Sequence, residues 1–210
     1  MTEVLQDLRK ALTATSDKAV GKECHPGTCE TVVSRVIRWI TNSEENRNIF
    51  WLRGPPSSGK TSVVTEVIKR VTKDNAAGVV VSDFLCTRVI SESGHTEDII
   101  PTLAATLADR DRSYRRELCR YLETMTTQTV LNKTPPEQVK DLFITPLQKL
   151  GSMKRVLLVI DSLEECSPEH SSYQSEAEAQ IRDLLEGFRV HARLQKISKS
   201  SSAVDRPKPS

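Results

Sequence analysis

The run Gly54-Pro55-Pro56-Ser57-Ser58-Gly59-Lys60-Thr61 constrains this chain more than any other feature. It satisfies G-x-x-x-x-G-K-[ST] without a mismatch. Glycine at each end lets the backbone wrap a phosphate, and successive N–H groups point inward as an anion nest. A helix that starts there presents its positive end to the same group. Lys60 adds a mobile charge for the β- and γ-phosphates, and the Thr61 hydroxyl is a ligand for Mg²⁺. Nucleotide contacts are therefore expected from Gly54, Pro55, Pro56, Ser57, Ser58, Gly59, Lys60, Thr61 and Ser62. The flanks agree with this reading. Ile49-Phe-Trp-Leu-Arg53 reads as a short buried strand, and Val63, Val64, Val67, Ile68 and Val71 fall at helical spacing. The plain alternative, an ordinary Gly/Ser surface loop, does not account for strand, loop and helix in that order.

Such a loop needs a carboxylate across the sheet to hold the metal. Val156-Leu-Leu-Val-Ile160-Asp161 supplies one, since a charge directly after five apolar residues is costly without a cation. The alternative is a strand that ends in a solvent-facing Asp. Beyond it lie Glu164 and Glu165. Glu165 is the preferred base to polarise an attacking water, with Glu164 supporting the metal shell through water. A solvated helix start would show the same Glu-Glu pair.

Ala77–Cys86 and Val156–Ile160 read as strands separated by helical patterns. Asp98 can cap a helix carrying Pro101, Leu103 and Leu107. Tyr114, Leu118, Tyr121 and Leu122 mark another, and Pro135-Pro136-Glu137 opens a third that Pro146 should kink. This alternation predicts an α/β fold: three layers, α/β/α, around a parallel sheet with right-handed crossovers. Residues 1–23, polar and weakly helical around Val4, Leu5, Leu8 and Leu12, read as a leader docked on the domain or part of a helix whose remainder is missing. Residues 24–188 read as the body, and 189–210 as a disordered basic tail.

Charge narrows the function. The chain has 30 basic and 28 acidic residues; 189–210 holds six and one of these, which leaves a body of 24 and 27. A slightly acidic body argues against a nucleic-acid binder. No apolar run reaches the roughly 18–20 residues that span a bilayer, so no membrane partner is expected. Five scattered cysteines suggest a reducing, cytoplasmic setting without a disulfide framework. Cys24-x4-Cys29 around His25 could hold zinc, but no second ligand pair follows at metal spacing. Trp39 and Trp51 read as packing residues, and the mixed-sign run Arg110–Glu117 as a solvated helical face.

Together these residues resemble the NACHT class of the STAND P-loop ATPases, specifically fungal NOD-like receptor proteins with a nephrocystin-type N-terminal NTPase region. Cys24-His-Pro-Gly-Thr28 is similar to the family's C-x-x-G-T-R motif, and Ile49–Thr61 to its strand and Walker A loop. Phe84-Leu-Cys-Thr-Arg88 and Ile100-Pro-Thr-Leu-Ala104 resemble the next strand and helix. Asp161-Ser-Leu-Glu-Glu-Cys166 resembles its extended Walker B, D-[AS]-L-D-E-C. Cys29 stands where the family usually has Arg, and Glu164 where it has Asp. Phe188-Arg-Val-His-Ala-Arg-Leu-Gln does not resemble the T-S-R strand that follows in the family. The α/β architecture is thus expected to be incomplete on its C-terminal side, as in a truncated or differently spliced product.

The resemblance implies a signalling switch. It would bind Mg²⁺ with ATP (or GTP; adenine is favoured by resemblance only), self-associate, and reset by slow hydrolysis. The alternative is a binding or regulatory fragment with little hydrolysis, because the sensing Arg strand is missing. A small-molecule kinase uses the same loop, but no acceptor site is evident.

Overall fold

Of the three apolar runs that read as strands, two pair with each other in parallel. The computed structural model describes residues 6, 8, 24–25, 27–42, 49–74, 78–85, 98–150, 155–162, 182–183 and 186–187. In chain order these form α1 (Glu30–Thr41), α2 (Lys60–Asp74), β1 (Val79–Leu85), α3 (Ile99–Arg110), α4 (Arg112–Thr124), α5 (Thr127–Leu131) and α6 (Pro135–Val139). A π-helical turn (Lys140–Ile144), α7 (Thr145–Gln148) and β2 (Arg155–Asp161) follow. The described residues are mixed α/β and mostly helical, with a small two-stranded parallel sheet. The register runs from Val79 opposite Arg155 to Leu85 opposite Asp161.

The helix α3 is buried on nearly every side, from Ile99 through Ala105 and again at Leu107 and Ala108. An all-round apolar helix belongs in the middle of a core. Its small residues Ala104, Ala105 and Ala108 let neighbours approach closely. Phe84 of β1, Leu118 and Leu122 of α4, and Leu142 and Phe143 of the π turn close around it. Leu8, from the predicted leader, is fully buried in the same cluster. Ser82 is buried in β1 and donates to the Leu103 carbonyl at 2.7 Å, so its hydroxyl is satisfied.

Alternate residues of the strands, Val80, Phe84, Val156, Leu158 and Ile160, face this cluster. Period two puts Leu157, Val159 and Asp161 on the other face. The helix α2 contacts both strands. Arg155, on that same register, donates through Nη1 to the Thr41 carbonyl at 2.9 Å. That guanidinium satisfies an orphan carbonyl at the C-terminal end of α1.

Three expectations need correction. Ile49–Arg53 forms no strand: Phe50 packs on Trp39 with ring centroids 5.4 Å apart, and Leu52 joins the α1–α2 cluster. Ile49 and Trp51 point out, Trp51 being 56% exposed, so Trp51 is not a packing residue. The segment is buried on one side only, which a continuous apolar run conceals. Second, Asp98 precedes α3 without a side-chain capping bond. Third, the run Arg110–Glu117 is not a simple solvated face. Asp111 is buried and caps α4, accepting from the Ser113 and Tyr114 amides at 2.8 and 3.0 Å. Arg110 donates to the Val81 carbonyl at 2.7 Å and pairs with Asp83.

Pro146 does interrupt its helix, and the neighbourhood shows how. Its ring nitrogen has no hydrogen to offer Leu142, four residues back. The π-helical turn precedes it, and the Leu142 carbonyl accepts from the Tyr114 hydroxyl at 2.5 Å. Burial pushes the Tyr114 phenol well above its usual range. Beside it, buried Asp141 accepts from the Tyr121 hydroxyl at 2.7 Å and pairs with Lys133 at 2.5 Å. Burial, and then this carboxylate, push Tyr121 up to about 12. At the start of α6, Thr134 donates from both its amide and its hydroxyl to Glu137. Gly187 approaches this corner so closely that an added Cβ would stand 3.1 Å from Pro136 Cα.

Tyr114→Phe should therefore lower unfolding free energy by about 1–3 kcal/mol, the cost of stranding a buried polar group. Urea titration of both proteins measures this, with the slope unchanged.

Candidate phosphate-binding site

The loop Gly54–Gly59 is shaped by two left-handed residues. Gly59 has φ of 84°, which glycine adopts freely, and Ser57 has φ of 60°, which a residue with a Cβ adopts at a cost. The Ser58 amide donates to the Pro55 carbonyl at 3.3 Å and closes the turn. A Cβ at Gly54 would lie 2.7 Å from Ser58 Oγ, so a side chain there would turn the exposed Ser58 hydroxyl aside. Gly54 to Ser58 are exposed, while Gly59, Lys60, Thr61 and Ser62 are half-buried where α2 begins. Lys60 curls back over the loop, its Nζ donating to the Gly54 and Pro55 carbonyls at 3.1 and 3.2 Å. No acidic residue lies in the first turn of α2, so the helix's own sequence does not offset the positive end of its dipole.

What seats this helix is its contact with α1. Val63 and Val67 meet fully buried Val33, with Val36, Ile37, Ile40 and Val71 around them. Arg70 then reaches across, donating to both Glu30 oxygens at 2.8 and 2.7 Å and to Glu66 at 2.7 Å. A two-pronged guanidinium–carboxylate contact fixes orientation as well as distance. Arg70 holds the Glu30 carboxyl down at about 2, with help from the Ser34 hydroxyl. Ahead of α1, Cys24 and Cys29 are joined in a disulfide. The scattered cysteines suggest no disulfide framework, and this one short-range bond removes both thiolates that a zinc site would need.

Asp161 ends β2 opposite Leu85 and is only 9% exposed, so it is not a solvent-facing strand end. Its Oδ1 accepts from the Ser162 amide at 2.9 Å. Ser162 has φ of 57°; it and Ser57 are the non-glycine residues with positive φ among those described. Strain of this kind concentrates at functional sites. Glu164, Glu165, Arg88 and the tail 189–210 lie outside the described residues. Among the described residues, no group of three or more His, Cys, Asp or Glu could hold a metal. No described helix is long and apolar enough to cross a membrane.

Fold and loop together define a mixed α/β domain with a glycine-flanked turn at the head of a helix. Residues 27–197 match the family described as Nephrocystin 3, N-terminal, and the chain belongs to that family. No curated protein and no solved structure matches the chain.

The Glu30–Arg70 pair was not foreseen, because 40 residues separate its members and neither belongs to a motif. The Cys24–Cys29 spacing did carry a signal, but the odd cysteine count obscured it. Because the folded state holds Glu30 below its ordinary 4.5, the pair's stabilisation is present above that value and lost as pH falls through about 2. In Arg70→Ala the Glu30 midpoint should rise from about 2 towards 4.5, and carboxylate NMR titration reads that shift directly.

Proposed function

We propose that this chain is a Mg²⁺-dependent nucleoside triphosphate-binding domain of the NACHT-like STAND type, with ATP as its favoured ligand. One observation carries the reading: Lys60 folds over the Gly54 and Pro55 carbonyls at the head of α2, whose first turn holds no acidic residue. That places a mobile cation, a positive helix end and a tight glycine-flanked turn in one spot. Membership of the nephrocystin N-terminal family is consistent with it. So is a parallel strand pair that α2 and α3 both contact.

The loop amides from Ser57 to Thr61 bind the β- and γ-phosphates, and Lys60 swings from its carbonyls onto them. Thr61 Oγ1 and the Asp161 carboxylate would hold Mg²⁺. Two hard oxygen donors suit an ion that keeps most of its waters. When bound, the metal neutralises charge across the phosphate oxygens. Glu165 orients the attacking water and accepts its proton, and Glu164 supports the metal shell through water. In the cell the domain acts as a cytoplasmic switch that self-associates in the triphosphate form, like the fungal NOD-like receptors it resembles. A second reading, binding with little turnover, is favoured by Phe188–Gln195, which does not resemble the family's sensing strand.

Calorimetry with Mg²⁺-ATP and a phosphate-release assay test both. Lys60→Ala should weaken binding at least about tenfold, the loss of more than one charged hydrogen bond. Asp161→Asn should remove the dependence of affinity on Mg²⁺. Glu165→Gln should bind as the wild type does and release no phosphate. Absence of turnover in every protein, with binding intact, selects the second reading. No heat from Mg²⁺-ATP or Mg²⁺-GTP with folded wild type rejects both.

A further inference from the structure

The Cys24–Cys29 disulfide spans the turn that leads into α1. Only His25, Pro26, Gly27 and Thr28 intervene, so the bond closes a short loop and constrains the unfolded chain less than a long-range crosslink would. Both cysteines are half-buried, while His25, Gly27 and Thr28 are exposed, which opens a path for a small thiol. The turn keeps its shape by other means as well. Thr28 donates from its amide and its hydroxyl to the His25 carbonyl, at 3.1 and 2.7 Å.

The location gives the bond consequences. Cys29 is the N-cap of α1, and its carbonyl accepts from the Val33 amide at 2.9 Å. The next residue, Glu30, carries the pair to Arg70 of α2. Inward, both cysteines pack against Val33, Val63 and Val67. Val63 and Val67 lie in the first two turns of α2, directly after the glycine-flanked loop. The bond therefore sits where the turn, α1 and the head of α2 meet.

We propose that Cys24 and Cys29 form a reversible redox site whose co-reactant is a low-molecular-weight thiol–disulfide couple, and that closing the bond fixes α1 against the head of α2. Opening starts when a thiolate of the couple attacks one sulfur, forming a mixed disulfide and releasing the other cysteine as a thiolate that takes up a proton. A second thiol attacks the outer sulfur of the mixed disulfide. It releases the remaining cysteine and leaves as the small-molecule disulfide. Two electrons and two protons pass from two small thiols to the protein, and the reverse sequence closes the bond. Cys119 supplies an internal reference: it is fully buried, outside any disulfide, and its thiol is pushed up by burial.

Any effect on nucleotide rests on the function proposed above, so the test reads the two separately. The full chain is equilibrated in glutathione buffers from reducing to oxidising. Differential alkylation with mass spectrometry reads each cysteine, and hydrogen exchange reads the first turns of α1 and α2. Cys24 and Cys29 should convert together while Cys119 stays protected. Exchange in those turns should slow about fivefold or more on oxidation, a typical coupling between linked sites. The doubly substituted Cys24→Ser, Cys29→Ser chain should behave as the reduced protein at every ratio.

Oxidised protein should also bind Mg²⁺-ATP about fivefold more tightly. By reciprocity, ATP should then lower the pair's midpoint potential by about 20 mV. A pair that stays dithiol in the most oxidising buffer, or equal exchange of α1 and α2 in both states of the wild type, overturns the redox site. Redox-dependent exchange with no heat from Mg²⁺-ATP in either state supports the redox site and rejects only the nucleotide reading.

Discussion

Parallel pairing of β1 with β2 obliges the chain to leave the sheet at one end and return at the other. The crossover between them carries α3 to α7, and nearly all of the main core belongs to it. The core is therefore a by-product of strand direction: a hairpin would need two residues where this chain spends most of its apolar side chains. It also explains why α3 is apolar all round. Among the described helices of the crossover it is the first, packed against β1 before it and the later helices after it.

Within the crossover, Pro146 breaks the helical ladder. Here a lost bond and a buried phenol resolve each other, since the Tyr114 hydroxyl needs an acceptor and Leu142 has one to give. Asp141 does the same for Tyr121 and Lys133 one turn away. Both tyrosines come from α4, so this helix grips the irregular segment twice. The π turn is thus held by side chains from outside itself.

Local chemistry was the legible part of the sequence. The two ladder strands, the helix after the glycine-flanked loop, Pro101 in the first turn of α3 and the break at Pro146 all follow from residues within a few positions of one another. Partners far apart in the chain were not legible. Nothing near Glu30 announces Arg70, and nothing near Arg110 announces Asp83. The segment Ile49–Arg53 failed for a related reason: its residues favour extended backbone, but a strand also needs a neighbour, which composition cannot supply. Asp161 was read as a carboxylate at a buried strand end, and its low exposure agrees; the glutamates after it lie outside the described residues.

The posture of Lys60 changes how the loop meets any anion. Its ammonium already has two carbonyl acceptors, so an incoming ion does not simply add a contact but competes for one. Net attraction is the difference between two sets of bonds. On the proposed function, a polyphosphate would repay the displaced carbonyl contacts with several charge-assisted bonds, which a weakly charged visitor such as chloride or acetate would not. The lysine would then act as a threshold, favouring highly charged ligands through what the loop must give up.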